Sequence, residues 1–427
     1  MDIFNSPDYK RSRASYTIQC AIEYFVSLLV TDAFLVRLLA HIGINDALTG
    51  IISSFISLAF LFQILTIFAV RAKMGPKRMV LIFDTTSIFF FMFLYVIPFL
   101  PIGAELKKIL AVLSILLAYA GKYLVNSMCY KWGNSYVHPH KRAEFSANKE
   151  IISLLSGMVF SIVMAAVVDK YESLDNMNGA FLFLAISIFV LNVGNFITLF
   201  LIKRESPEER AAGEEPFSVV LKNTMGNKNF RSLVILDCVF KTATYMTIGF
   251  LGTFKYKELA MSAVLVQVVN IVANLLRAGV SRPLGKYSDR KTFAKGFELG
   301  LFLAAGSFIA CMFTTEKTWL LILVHTALYS ASAAGTNQNG FNMAYSYVDS
   351  KYVVQALSIR NSISGVVGFI ASLLGGLILG KIQANGNAIF GIHVYGQQVL
   401  AFISFILTIV AIIYIKKVVE KQKVMRQ

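Results

Sequence analysis

Long apolar runs follow one another along the chain and are separated by short polar breaks. The hydrocarbon core of a bilayer is about 30 Å thick, so a helix that crosses it needs roughly 20 mostly apolar residues. The runs therefore predict twelve spanning helices, at 17–39, 47–70, 79–100, 108–130, 151–169, 179–202, 234–253, 262–281, 297–314, 318–341, 363–381 and 396–416. No polar segment between them is long enough for a separate soluble domain.

The composition also indicates a membrane protein. Of the 427 residues, 56% are hydrophobic and 15% are charged, whereas a soluble domain carries about 25% charged residues. The net charge of +16 comes mainly from loop residues, so we expect membrane lipid as a partner and no nucleic acid. The four cysteines lack metal-ligand spacing, which predicts free thiols and no metal site. The N-terminus lacks a signal-peptide cleavage site, so the first apolar run is interpreted as a retained helix.

Basic residues alternate between successive connections. When residues at span ends are assigned to the adjoining loop, the chain ends and the even-numbered connections hold 29 of the 40 Lys and Arg residues, and the odd-numbered connections hold 7. The other four are Arg37, Lys122, Lys241 and Arg277, inside or near the ends of helices. Because cytoplasmic loops are enriched in Lys and Arg, the pattern predicts a multi-pass protein of the cell (cytoplasmic) membrane with both termini in the cytoplasm.

Two features divide the helices into halves. The longest loop, 203–233, has mixed charge and predicts a cytoplasmic linker that can include a short amphipathic helix. A shift of 211 residues aligns helix five with helix eleven and places Gly157 on Gly368. Repeated halves are the usual construction of secondary transporters. The sequence therefore predicts an all-α polytopic membrane protein of twelve transmembrane helices in two pseudo-symmetric six-helix bundles, 1–202 and 234–427.

Two connections carry a related motif. Spans eight and nine are joined by "RPLGKYSDRKTFAK", and spans two and three by "FAVRAKMGPKRMVL". Both resemble the cytoplasmic signature loop of the major facilitator superfamily, Gly-x-x-x-Asp-Arg-x-Gly-x-basic-basic. The matching residues are Gly285, Asp289, Arg290 and Lys295 in the later copy and Lys73, Gly75, Lys77 and Arg78 in the earlier copy. The chain departs from the motif at Phe68, Ala72, Thr292 and Ala294.

The resemblance predicts a gate at these loops. Glycine permits a tight turn between two helices, and Asp289 can pair with arginines or cap a helix N-terminus. Such contacts would latch the cytoplasmic side in one state and release it in the other. The residues predicted for this cytoplasmic gate are Asp289, Arg290, Gly285, Lys73, Gly75 and Arg78. The alternative is a solvated basic loop that only sets the topology.

Ionisable side chains inside spans are costly and are functional candidates for that reason. The resemblance implies that helices one, four, seven and ten line a central cavity, and the deep charges fall on these helices, apart from Asp84 on helix three. A buried carboxylate can take up a proton near neutral pH, so the candidates for proton coupling are Asp32, Glu23 and Asp237. For Asp237, neutralisation by Lys241 four residues later is an equal alternative.

Polar residues of the spans are candidates for solute binding. Lys122 can anchor a carboxylate, a phosphate or another anion, unless its partner is an internal residue such as Asp32. Amides can bind hydroxyl-rich solutes or join neighbouring helices, and aromatic rings can stack on a solute or simply pack. The predicted substrate-binding residues are Lys122, Asn126, Tyr123, Lys241, Tyr245, Gln267, Asn270 and Asn337.

These features predict a secondary active transporter rather than an enzyme. It would move a small polar or anionic organic solute, such as a sugar or an organic acid, by alternating access. The chain has no phosphate-binding loop, so we expect no cofactor and a cycle driven by a proton gradient or a sodium gradient. The alternative is a proton-coupled multidrug efflux pump, although helix five lacks the Gly-Pro motif typical of such antiporters. We expect the protein to be monomeric.

Overall fold

The computed structural model describes residues 6–69, 76–137, 142–203, 217–349, 352–389 and 391–422. These residues are almost entirely helical. The helices are α1 (Pro7–Leu29), α2 (Asp32–His41), α3 (Asp46–Ser53), α4 (Phe55–Ala59), α5 (Phe62–Ala69), α6 (Pro76–Val96), α7 (Ala104–Asn134), α8 (Arg142–Ser173), α9 (Met177–Leu201), α10 (Phe217–Met225), α11 (Lys228–Thr247), α12 (Leu251–Thr253), α13 (Ala263–Arg290), α14 (Phe293–Met312), α15 (Leu320–Tyr347), α16 (Val353–Ala384) and α17 (Gly396–Tyr414). Two-residue strands β1 (Ala388–Ile389) and β2 (Ile392–His393) pair antiparallel.

Ten helical segments among the described residues are long and apolar enough to cross a bilayer. They correspond to predicted spans two to nine, eleven and twelve. The other two predicted spans are also helical, as α1 with α2 and as α15, but polar side chains lower their hydropathy. Examples are Glu23 in α1 and the run 337–339 in α15. The prediction of an all-α polytopic protein with twelve spanning helices is confirmed.

The helices differ from the predicted spans mainly at their ends. For example, α13 continues to Arg290 and α15 to Tyr347, beyond the predicted ends at 281 and 341. Hydropathy locates only the segment inside the hydrocarbon, whereas a helix can continue into the interface and beyond. Within the predicted linker, α10 confirms the expected short helix.

Two of the predicted continuous spans are interrupted. The first divides into α1 and α2 beside Thr31, whose hydroxyl donates to the carbonyl of Ser27 at 2.9 Å. The second divides into α3, α4 and α5, and the hydroxyl of Ser54 donates to the carbonyl of Gly50 at 3.0 Å. Serine and threonine hydroxyls that bond to a carbonyl one turn earlier compete with the helical hydrogen bonds and often bend helices. Hydrophobic periodicity does not report such local bonds.

The chain forms two compact units, and each unit contains segments from more than one part of the sequence. The first unit comprises Met1–Ile44, Phe62–Glu214 and Ser262–Gln267, and the second comprises Asn45–Leu61, Glu215–Met261 and Val268–Gln427. Thus α3 and α4 pack within the second unit, and the first turn of α13 packs within the first. The predicted domain boundaries, 1–202, 203–233 and 234–427, stay a prediction.

Each unit has its own core. In the first unit the core includes Tyr16 of α1, Val80 of α6 and Trp132 of α7. In the second unit it includes Phe230 of α11 and Phe308 of α14. These cores fix the positions of the helices that carry the charged side chains of each unit.

Small residues bring α4 and α16 together inside the second unit. The hydroxyl of Ser57 donates to the carbonyl of Gly365 at 2.7 Å. A β-carbon on Gly365 would meet the carbonyl oxygen of Ser57 at 2.5 Å. A larger residue would therefore force the two helices apart.

Candidate functional site

A cluster of charged and amide side chains in the first unit is contributed by four helices. Glu23 lies on α1, Asp84 on α6, Lys122 on α7 and Asn195 on α9. The Nζ of Lys122 lies 3.9 Å from Oε2 of Glu23, and these side chains are 24% and 22% exposed. Asn195 donates to Oδ2 of Asp84 at 2.7 Å, and Asp84 also interacts with Glu23 and Lys122. The structure thus brings a predicted solute anchor, Lys122, next to a predicted proton-coupling residue, Glu23.

Other residues of α1 support this cluster. Buried Gln19 donates its side-chain amide to Oε1 of Glu23 at 2.7 Å. Buried Tyr16 accepts a hydrogen bond from Nζ of Lys149 at 3.3 Å, and that Nζ lies 4.4 Å from the centre of the tyrosine ring. Tyr16, Gln19 and Glu23 are spaced by three and four residues, so they lie on one face of α1. This face carries the polar side chains toward α7 and α8.

The ion-pair partner of Lys122 is Glu23 and not Asp32. Asp32 is half-buried and begins α2 with a φ of 48°, at the break in the first span. Two further predicted solute-binding residues follow Lys122 on α7, where Tyr123 is half-buried and Asn126 is exposed. Asn126 lies four residues after Lys122 and therefore on the same face of the helix.

A second charged cluster of the first unit surrounds Arg37 on α2. The Nη2 of Arg37 donates to Oε2 of Glu172 at 2.8 Å and to Oδ1 of Asp169 at 3.1 Å. The carboxylate of Asp169 also accepts the backbone N–H groups of Ala263 and Val264, each at 2.9 Å. The Arg37 side chain is only 2% exposed. The cluster joins α2, α8 and the first turn of α13, and Asp169 caps the positive end of that helix.

The second unit contains a buried ion pair between α11 and α16. The Nη2 of Arg360 lies 3.2 Å from Oδ1 of Asp237, and both side chains are nearly fully buried. Lys241 lies instead near two aromatic rings, 5.5 Å from the centre of Tyr245 and 5.9 Å from that of Phe60. The expected direct pair of Asp237 with Lys241 is therefore not the ion pair that forms. Lys241 contributes only a longer-range attraction to Asp237.

The predicted amide residues have different environments. In the first unit Gln267 is buried, just after the first turn of α13. In the second unit Asn270 is half-buried and Asn337 of α15 is exposed. Asn339, close to Asn337 in sequence, is buried and donates to the carbonyl of Gly335 at 2.7 Å.

The later signature loop differs from the expected tight turn at glycine. Gly285 lies inside α13, whose last turn also contains Asp289 and Arg290, both exposed. The helix continues past Gly285 to Arg290, and the chain turns at 291–292 before α14 begins. Thr292, at a motif glycine position, caps α14 by accepting the N–H of Lys295 at 3.1 Å.

In the earlier signature loop Lys73 and Gly75 lie outside the described residues. Arg78 is exposed on α6. Its neighbour Lys77 donates to the carbonyls of Phe200 at 2.6 Å and Ile202 at 2.5 Å. A lysine that binds the last carbonyls of a helix stabilises the negative end of the helix dipole. Lys77 therefore anchors the end of α9.

Sequence reasoning missed two partners in these sites. It recorded Asp84 as a charge on helix three outside the predicted cavity helices, and it assigned Arg360 to a loop. Asp84 could have been selected from its intramembrane charge alone. Arg360 could have been found from the repeat, because the shift of 211 residues places it on Lys149.

Comparisons with known proteins agree with this architecture. The sequence model of the Major Facilitator Superfamily matches residues 20–372. No curated protein matches the chain at a significant level of sequence similarity.

Three solved structures show the same fold at low sequence identity. The nucleoside transporter NupG has a TM-score of 0.70 at 12% identity and covers 98% of this chain and 100% of its own. A POT peptide transporter in complex with sulfate has a TM-score of 0.65 at 13% identity, with 97% and 95% covered. A bacterial homologue of the human lysosomal transporter Spinster, in an inward-facing conformation, has a TM-score of 0.62 at 13% identity, with 97% of each chain covered.

The family match spans most of the chain and agrees with the twelve spanning helices and the signature loops. Members of this family are membrane-embedded transporters of small molecules rather than enzymes. The chain belongs to the Major Facilitator Superfamily.

Proposed function

We propose that the protein is a secondary active transporter that moves a small polar or anionic organic solute by alternating access and is driven by a proton gradient. The observation that carries the proposal is the loose ion pair of Lys122 with Glu23. At 3.9 Å the ammonium is at the limit of an ion pair, and it remains 24% exposed. Lys122 therefore keeps donors available for a second negative group.

In this geometry the protonation state of Glu23 changes how strongly Lys122 attracts an anionic solute. When Glu23 is ionised, it competes with an anionic solute for Lys122. When Glu23 takes up a proton, the competing charge disappears. Two unit charges at about 4 Å attract each other by about 1 kcal/mol in water and about 4 kcal/mol near a protein surface. Proton binding would therefore strengthen solute binding by roughly fivefold or more, since about 1.4 kcal/mol corresponds to a factor of ten.

The neighbours of Lys122 fit a small polar solute. Asn126 lies on the same helical face and is exposed, and Tyr123 adds a half-buried ring. An amide and a phenol can bind hydroxyl or carbonyl groups once the ammonium holds the charge. These residues favour a sugar acid or another organic acid over an uncharged apolar compound.

Uptake into proteoliposomes tests the proposal. Radiolabelled sugars, sugar acids, organic acids, nucleosides and short peptides would be supplied with a proton gradient, with a sodium gradient and with neither. We expect the proton gradient to drive accumulation of an anionic or polar member of this panel. Accumulation that follows only the sodium gradient, or a preference for apolar cationic drugs, would overturn the proposal.

Two lysine variants of α7 distinguish a solute-binding role of Lys122 from a general effect of removing a positive charge. We expect Lys122→Ala to raise KM for the anionic solute at least tenfold. The matched control is Lys108→Ala, on the same helix, because Lys108 pairs with exposed Glu105 at 2.7 Å. Equal uptake kinetics in the two variants would contradict the role of Lys122.

We further propose that the protein lies in the cell membrane as a monomer with both termini in the cytoplasm. Exposed Lys222 on α10 and exposed Lys317 between α14 and α15 lie on opposite sides of the membrane in this topology. An impermeant thiol reagent added to whole cells should label Lys317→Cys and not Lys222→Cys, above the background of the parent protein. The reverse pattern would invert the topology.

A further inference from the structure

Lys149 on α8 is a second cation at the polar face of α1, the face that carries Tyr16, Gln19 and Glu23. Its Nζ lies 3.3 Å from the hydroxyl of Tyr16 and 4.4 Å from the centre of that ring. It also lies 5.7 Å from the centre of the Tyr130 ring on α7. The ammonium therefore reaches across from α8 to α1 and α7.

These contacts of Lys149 are with uncharged groups. A phenol hydroxyl and two aromatic rings attract a cation, but they do not cancel its charge. An ammonium has three donors, and the hydroxyl of Tyr16 accepts from one of them. Lys149 is half-buried, so it can still be reached by an anion. It is similar in this respect to Lys122, whose ion pair with Glu23 is loose at 3.9 Å.

Packing holds the ring of Tyr16 in this position. Tyr16 is 2% exposed. A β-carbon on Gly133 would collide with the ring, so the ring packs directly against the backbone of α7. The ring of Phe145 on α8 stacks on it, with the two centroids 6.3 Å apart. A side chain that is locked by packing can position a binding group precisely. Tyr16 therefore fixes the place of the Lys149 ammonium.

The two lysines contact α1 at positions two turns apart. Lys149 contacts Tyr16, and Lys122 contacts Glu23. The seven residues from Tyr16 to Glu23 correspond to about 10 Å along the helix axis. Between them on the same face lies Gln19, whose amide is neutral. Two anionic groups joined by a short chain match two ammonium groups in this arrangement.

We propose that Lys149 binds a second anionic group of the solute, and that the solute is therefore a dianion such as a linear dicarboxylate. The inference rests on the proposed function for the first contact, at Lys122. One carboxylate of the solute would bind Lys122 and the other would bind Lys149. The chain between them would lie along α1 beside Gln19. Lys149 is then the residue that selects a dianion over a monoanion or a neutral sugar.

Isothermal titration calorimetry of the purified protein tests this selectivity without any gradient. The probes are glutarate, adipate and suberate, each compared with its monomethyl ester, which keeps one carboxylate and a similar length. We expect at least one diacid to bind roughly fivefold or more tightly than its ester, the effect of one additional charge pair in water. This comparison needs no variant. Equal affinities for every diacid and its ester, or binding of none of the probes, would overturn the proposal.

Variants of α8 assign the preference to Lys149. Lys149→Met removes the charge and keeps an unbranched stem, so it should weaken the diacid to the affinity of its ester and leave the ester unchanged. Lys149→Arg should retain the preference for the diacid, because it keeps the charge. The matched control is Lys170→Met, at an exposed lysine in the last turn of the same helix, and it should also retain the preference. An equal loss for diacid and ester in Lys149→Met would indicate a structural role and contradict the proposal.

Failure of this inference can be distinguished from failure of the proposed function. Lys122→Ala should weaken the diacid and the ester alike, because both use the first contact. If the preference for the diacid depends on Lys149 but uptake ignores the proton gradient, the second contact stands and the proton coupling fails. If uptake is driven by protons and depends on Lys122 but diacid and ester bind equally well, the proposed function stands and the inference fails.

Discussion

Replacing Arg37 tests whether a buried ion cluster stabilises the first unit. Arg37→Met keeps most of the apolar stem but removes the guanidinium that binds Asp169 and Glu172. Removing one partner of a buried ion pair costs about 3–5 kcal/mol. The two carboxylates here are 22% and 35% exposed, so water can replace part of the lost contact. Asp169 also keeps its two backbone N–H donors. We therefore expect a loss of about 2–3 kcal/mol.

Thermal unfolding in detergent measures the loss. One kcal/mol corresponds to a shift of about 2–4 °C for a domain of 150–250 residues. The unfolding midpoint of Arg37→Met should therefore fall by about 4–12 °C. Arg37→Lys should lie in between, because an ammonium keeps the charge but cannot replace the planar fork of the guanidinium.

An exposed ion pair of the same unit supplies the matched control. Lys203 pairs with Asp8 at 3.0 Å, and the side chains are 53% and 66% exposed. Exposed pairs contribute less than about 1 kcal/mol, so Lys203→Met should shift the midpoint by no more than a few degrees. If Arg37→Met were no less stable than Lys203→Met, the reasoning from burial would be refuted.

Two other stability predictions use the same thermal assay. Lys77→Ala should lower the free energy of unfolding by about 1 kcal/mol, because Lys77 binds two terminal carbonyls of α9. Arg78→Ala, at an exposed neighbour, should change the stability little. Equal unfolding midpoints for the two variants would contradict the role of Lys77 as a cap. Gly365→Ala should lower the midpoint, since overpacking costs about 1–3 kcal/mol and its β-carbon would meet Ser57. Gly279→Ala in α13 should raise the midpoint slightly, because a β-carbon there meets only open space and alanine favours a helix; destabilisation by both variants alike would count against the close approach.

The number and order of the helices could be predicted because the bilayer imposes a length and a hydropathy on each span. The breaks in the first and second spans could not be predicted in this way. At the first break Asp32 adopts a φ of 48°, and the hydroxyls of Thr31 and Ser54 bond to carbonyls one turn earlier; hydropathy reports neither feature. The packing of α3 and α4 within the second unit could not be predicted either, because a hydropathy pattern does not show which helices contact each other.

The candidate site could be predicted only in part. A charged side chain inside a span is costly and therefore indicates a function. This criterion selected Glu23, Lys122 and Asp237. Spacing along one helix made Lys241 one possible partner of Asp237, as an equal alternative to proton coupling, but the guanidinium of Arg360 on another helix is the group that pairs with Asp237. Contacts between helices that are distant in sequence determine which side chains pair with each charge. A single sequence does not show these contacts.

The two units neutralise their buried carboxyl groups in chemically different ways. Asp237 faces the guanidinium of Arg360, which stays protonated at any physiological pH, so its countercharge is permanent and favours the ionised form. Asp84 accepts a hydrogen bond from the amide of Asn195 and interacts with Lys122, whose ammonium also lies 3.9 Å from Glu23. A permanent ion pair suits a structural role, whereas an ammonium at 3.9 Å from its partner is held less tightly. On this argument the Asp237–Arg360 pair joins α11 to α16 with a fixed charge, whereas the ammonium of Lys122 in the first unit is the better placed of the two cations to accept a change of partner.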